Sequence, residues 1–307
     1  MLTWKRILVA TDFSSPAERA LRSAKALAQR VGGKLALIHV VQLPPASYLG
    51  GLGRPRDLER SWVEAARAEL HGVARKASAR GTAIKEILRV GKPWVEILDV
   101  ARDEGVDAIC LGNSGHSAIE RLLLGSTAEN VVRRSPVPVL VVRDRALAKI
   151  NRVLVPWHFD EGSKSAIRFA LERFPEKTKL AAFHAVAPLP PADPVVGPLI
   201  PDMAAIREEM RSLLDEMGAE RVSEEVVLMA DAAAAIVESA TKEDVDLILL
   251  ATHGRKGMAR ALLGSVAEKV VRHADRPVLV LPGPGARGAA KGSKPGERRG
   301  RPRQTKA

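Results

Sequence analysis

The chain has 307 residues, enough for two domains of ordinary size, and 46% of them are hydrophobic while only 3% are aromatic, so its cores must be aliphatic. A single cysteine, Cys110, excludes a disulfide framework and points to a reducing compartment, and no run of eighteen apolar residues offers a membrane span. The formal charge of +12 divides into +7 on residues 283–307 and +5 on all that precedes them, so the case for a nucleic-acid partner rests on the tail and not on the body.

The opening MLTWKRILVATD reads as a strand and not as a signal peptide, because Asp12 soon follows the basic start and no small-residue cleavage pattern appears. A soluble, cytoplasmic protein is expected. Ile7 to Ala10 forms the first strand. Ser15, Pro16 and Glu18 then supply an N-cap, a first-turn proline and a capping box. Apolar residues at 17, 20, 21, 24, 27, 28 and 31 keep a helical period until Gly32-Gly33 ends it. Leu35 to Val41 is a second buried strand, and Leu43 to Arg56 a Pro/Gly-rich loop. A helix over 57–79, a strand over 83–90, a helix over 93–103 and a strand over 106–111 follow. Next comes a glycine-rich turn, Gly112-x2-Gly115-x9-Gly125-Ser126. Ser126 is the expected N-cap of another helix, reaching Arg134, with Glu129 completing a capping box. Val137 to Val142 is the last strand of this set. Strands too apolar to alternate, separated by helices, predict an α/β fold with a parallel sheet covered on both faces.

The pattern then repeats. Arg152 to Pro156 mirrors Arg6 to Ala10, and strands are expected over 180–186, 226–229 and 246–251 with a helix over 232–242. Shifted by 139 positions, Gly112–Val141 aligns without a gap on Ala251–Val280, and 15 of 30 positions are identical. A duplication at this level divides the chain into residues 1–146, residues 147–282 and a tail of 283–307.

The ILVATDFS opening, the IHVV second strand and the G-x2-G-x9-G-S element before PVLVV resemble the universal stress protein family, once in each half. The resemblance implies two flavodoxin-like (Rossmann-like) doubly wound sheets of strand order 3-2-1-4-5, paired as an internal pseudo-dimer through their last strands, with a homodimer of tandem chains left open. It also implies a site for ATP, alone or with Mg2+, at the switch point between strands 1 and 4. By that resemblance Asp12 bonds the adenosine part, with Thr11 beside it. Val40 meets the adenine edge through its backbone, with Ala10 and Leu111 as apolar neighbours. Gly112 and Gly115 let amides face ribose and phosphates, and His116 lies in the same turn. Gly125, Ser126 and Thr127 present a helix N-terminus to negative charge. Gly91, ending strand 3, leaves room beside the ligand.

The second half keeps Gly254, Gly264, Ser265 and Val266 as counterparts, but His158 stands where Asp12 stands, Ala251 replaces Gly112 and Ala230 replaces Gly91. It reads as a degenerate or altered site. His39 and His184 occupy equivalent strand positions, which suggests packing. No G-x4-G-K-[ST] loop, no Cys/His cluster at metal-ligand spacing and no nucleophile–base set is visible, so no catalytic residue is assigned. The leading reading is a nucleotide-binding regulator that responds to stress or energy state. Two rivals stand beside it: a slow ATP phosphohydrolase, and a DNA-associated scaffold acting through Arg299, Arg301 and Arg303 of an AT-hook-like tail.

Overall fold

Short runs of Val, Leu, Ile and Ala bounded by polar turns become strands here because both of their faces are covered by helices. The computed structural model describes residues 4–43, 56–78, 82–113, 124–189, 200–252 and 263–283. The first half contains β1 (Arg6–Ala10), α1 (Ser15–Val31), β2 (Lys34–Val41), α2 (Arg56–Ser78), β3 (Ile84–Val90), α3 (Pro93–Asp103), β4 (Ala108–Gly112), α4 (Ser126–Arg134) and β5 (Val139–Val142). The second repeats them as β6 (Arg152–Pro156), α5 (Glu161–Arg173), β7 (Lys179–Val186), α6 (Met203–Glu216), β8 (Val222–Leu228), α7 (Ala232–Lys242), β9 (Leu247–Ala251), α8 (Ser265–His273) and β10 (Val278–Leu281).

All these strands join one sheet in the order β3-β2-β1-β4-β5-β10-β9-β6-β7-β8, with every pairing parallel except β5 with β10. Each half therefore has the expected order, and the two meet through their last strands. Leu140 pairs with Leu279, its own counterpart under the 139-residue shift, so a pseudo-twofold axis passes between them. Both leucines are 1% exposed. Alternate strand residues feed two cores: Ile7 and Val9 face the layer of α1, α2, α5 and α6, while Leu8 and Ala10 face that of α3, α4, α7 and α8. Ala20, Ala24 and Ala28 let α1 lie close on the first of these faces.

The outer strands carry polar residues where a covering layer ends. Lys85, Glu86 and Arg89 on β3, with Ser223, Glu224 and Glu225 on β8, mark edges that resist pairing with other chains. The sequence places this strand at 226–229, but β8 begins at Val222, paired with Leu180 of β7, because Ser223, Glu224 and Glu225 are polar and give no apolar run to read. The segment between the halves is bonded to both. Leu147 N–H donates to Ser23 Oγ at 2.8 Å, Arg143 Nη1 donates to the carbonyls of Arg272 and His273, and Arg145 pairs with Asp244.

The start of α1 differs from its sequence reading. The N-cap of α1 is Ser14, whose Oγ accepts from Ala17 N–H, and Glu18 forms an i,i+4 ion pair with Arg22 in place of a capping box.

Candidate functional site

Parallel strands of this order send β1 and β4 to helices on opposite faces, which opens a crevice at their C-terminal ends. A cavity of about 420 Å³ lies there in the first half. Ala10, Thr11 and Asp12 wall it from the β1 end, Ile38, His39, Val40 and Gln42 from β2, and Pro93 and Ile97 from α3. Leu111, Gly112 and Asn113 close its floor, and Gly125, Ser126, Thr127 and Ala128 bring in the start of α4.

The β1–α1 turn is tightly specified. Thr11 N–H donates to Ile38 O at 2.9 Å, Phe13 N–H to Thr11 Oγ1 at 3.0 Å, and Ser14 N–H to Asp12 Oδ1 at 3.0 Å. Phe13 has φ +67°, a left-handed conformation costly for a bulky side chain. It is held by stacking on His39 at 4.3 Å between ring centres, while His39 Nδ1 donates to the Thr11 carbonyl at 2.8 Å. The second half keeps this device: Phe159 has φ +54°, and His184 Nδ1 reaches the Trp157 carbonyl at 2.8 Å. Because the pair persists where Asp12 does not, it serves the turn in both halves.

Gly112 is required by packing as well as by the cavity. A Cβ there would stand 2.8 Å from Pro16 Cβ and 2.9 Å from Ala17 N, so the first turn of α1 rests directly on it. In the second half the sizes are exchanged. Ala251 replaces Gly112, Gly162 replaces Pro16, and a Cβ on Gly162 would meet that of Ala251 at 3.7 Å. The alanine at 251 thus faces a residue without a side chain across the crevice.

Helix α4 starts one residue earlier than the sequence suggests. Gly125, with φ −61° and ψ 141°, is the N-cap and carries no side-chain cap; its N–H donates to Asn113 O at 2.8 Å. That bond draws Ser126 into the first helical position, and Glu129 pairs with Arg133 along the helix, so the expected capping box is absent. The first-turn amides consequently open toward the cavity without a side-chain acceptor, at the positive end of the helix dipole.

The expected residues divide as follows. Ala10, Thr11, Asp12, Val40, Leu111, Gly112, Gly125, Ser126 and Thr127 share one cavity wall. Gly91 does not belong to it: its φ is +157°, and a Cβ would lie 2.7 Å from Glu96 Oε1. Gly115, His116, Gly254 and the tail arginines Arg299, Arg301 and Arg303 lie outside the described residues. Asn113, Gln42, Pro93 and Ile97 were missed, as were Ala17, Ile38, Ala128 and, read only as packing, His39. Asn113 sits inside the glycine motif and was the most findable; the contribution of α3 follows only from the packed sheet.

The second-half crevice holds about 130 Å³. Phe183 and Trp157 stand where Ile38 and Thr11 stand and take up the space, and His158 replaces the carboxylate. Gly264 is again an uncapped N-cap, with Ser265 first in α8, and Val266 lies in the wall. Asp160 Oδ1 accepts from Ser163 N–H at 2.8 Å and caps α5. Cys110 is fully buried, and burial pushes its thiol far up, so it stays protonated. Among the described residues no group of three His, Cys, Asp or Glu side chains could hold a metal ion, and no helix is long and apolar enough to cross a membrane.

A model of the universal stress protein family matches residues 3–143 and again 149–282. A universal stress protein of Methanocaldococcus jannaschii is 33% identical over 154 residues, covering 46% of this chain and 95% of its own. One of Thermus aquaticus is 36% identical over 140 residues, covering 46% of this chain and 99% of its own. The crystal structure of a universal stress protein from Archaeoglobus fulgidus superposes with a TM-score of 0.67 at 24% identity, covering 91% of this chain and 99% of that one, which shows the shared fold.

Proposed function

Given that the chain belongs to the universal stress protein family, with one family domain in each half, we propose that its first half binds an adenine nucleotide, ATP foremost, and that occupancy is the signal the protein conveys. One observation carries this reading: Asp12 and the uncapped start of α4 open into the same cavity. A carboxylate at one end suits hydrogen-bond donors of a nucleoside, and free amides at a helix N-terminus suit phosphate oxygens. The volume, about 420 Å³, lies in the range of small-molecule sites, while about 130 Å³ in the second half lies below it. Binding is read as the functional event and not turnover; Mg2+ would enter with the phosphates.

Purifying the protein, denaturing it and identifying the released nucleotide by mass spectrometry tests this. Close to one ATP per chain, lost in Asp12→Ala, is expected if a single cavity of drug-like size is the site. No nucleotide released and none taken up on titration would overturn it.

A further inference from the structure

The residue just before one wall of the first cavity carries a positive charge that none of the described residues lining the cavity carries as a lysine or arginine. Lys92 is the N-cap of α3, and Pro93 lines the void. The Lys92 ammonium lies 5.1 Å from the centre of the Trp94 ring, and the Arg134 guanidinium lies 4.8 Å from that ring. The second half reveals where a side chain from this position reaches. Asp231 is the N-cap of α7, where its carboxylate accepts from Ala233 and Ala234 N–H and also meets Lys269 on α8 at 3.0 Å, whereas Lys92 makes no side-chain cap bond. Lys269 is the counterpart of Asn130 on α4. Asn130 Nδ2 donates to Ser126 O at 2.8 Å, so this position adjoins the turn whose amides open into the cavity.

We infer that Lys92 is a ligand-contacting residue of the first site, neutralising the phosphate chain seated on the first turn of α4. The inference rests on the first half binding an adenine nucleotide. A Gly-rich turn without a P-loop lysine needs a cation from elsewhere, and a flexible ammonium on the rim supplies it as a point charge. Trp94 restricts where that ammonium dwells, yet a cation–π contact at an exposed site is weak enough to be shared with phosphate. Among the described residues nearby, Arg133 pairs with Glu129, and Arg134 is bonded to Asn130 Oδ1 in addition to its contact with Trp94.

The test is isothermal titration of the full chain with ATP and, separately, with adenosine, for wild type, Lys92→Met and Lys92→Asp at low and high salt. Reversing a rim charge beside a polyphosphate is expected to weaken ATP about tenfold or more and to flatten its salt dependence, with Lys92→Met intermediate and adenosine within about twofold of wild type. Equal weakening of ATP and adenosine would mean that Lys92 only supports the packing around Trp94, and unchanged ATP affinity would remove its role altogether. A wild-type chain that binds neither ligand overturns the nucleotide reading first, and this inference with it.

Discussion

Gly125→Asp separates the fold of α4 from its use. The N-cap dihedrals of Gly125, φ −61° and ψ 141°, are open to any residue. Three other helices of the chain show what a carboxylate does there: Asp160 Oδ1 accepts from Ser163 N–H at 2.8 Å, Asp202 Oδ1 from Ala204 and Ala205 N–H, both at 3.0 Å, and Asp231 Oδ1 from Ala233 and Ala234 N–H at 2.9 and 3.2 Å. In Gly125→Asp the corresponding donors are Thr127 and Ala128, the amides proposed for phosphate. Replacing a glycine cap with aspartate stabilises a helix by a few tenths of a kcal/mol, so chemical denaturation should show a fold at least as stable as wild type. Binding should move the other way. Two like charges about 4 Å apart repel by about 4 kcal/mol at an effective dielectric of 20; discounting for the open rim leaves about 2–3 kcal/mol, a loss in ATP affinity on the order of a hundredfold. Gly264→Asp, the matching change in the second half, should leave the number of nucleotides per chain as it was. Titration calorimetry beside urea unfolding reads both quantities. If Gly125→Asp binds ATP as wild type does while keeping its stability, phosphate does not sit on this helix and the site has been assembled wrongly.

Other consequences can be checked independently. Gly112→Ala should cost about 1–3 kcal/mol through overpacking against Pro16 and Ala17, and adding Pro16→Gly, which recreates the second-half pair, should recover much of it in a double-mutant cycle. Additive losses would deny the compensation. The raised thiol of Cys110 makes stability depend on alkali: the folded chain keeps its proton where the unfolded chain loses it, so the contribution is complete below about pH 8.5 and then falls by about 1.4 kcal/mol per pH unit. Urea midpoints between neutral and alkaline pH should show that slope in wild type and a shallower one in Cys110→Ala; identical slopes would contradict the burial argument. His39→Ala, which removes the bond to the Thr11 carbonyl and the Phe13 stack, should destabilise the fold by about 1–3 kcal/mol, and a thermal shift too small to resolve would show that the turn holds itself.

Much of the architecture was legible because it depends on local chemistry. Apolar runs such as LILLA and VLVV leave no choice but buried strands, and a repeat of the glycine motif at constant spacing announces a second domain. Helix starts were less legible. Ser126 satisfies every local requirement of an N-cap, yet the bond from Gly125 N–H to Asn113 O, formed only once β4 and α4 are side by side, moves the cap back one residue. Likewise Ala251 looked like damage to a motif, because Gly162, the residue that faces it, is distant in sequence and adjacent only across the crevice. His39 was read as packing; its ring does pack, on Phe13, and it also stands in the cavity wall.

The antiparallel seam between β5 and β10 has a genetic consequence. In a dimer of identical subunits any substitution is made twice, so a change that suits one site burdens the other. Here the partner is encoded downstream in the same polypeptide, joined by a segment hydrogen-bonded to both sides, and its local concentration does not depend on expression or dilution. Released from symmetry, one copy can exchange a carboxylate for His158 and fill its crevice with Phe183 while the other stays unaltered, and a mixed assembly that two separate genes would yield only as a statistical fraction is obtained from every translated chain.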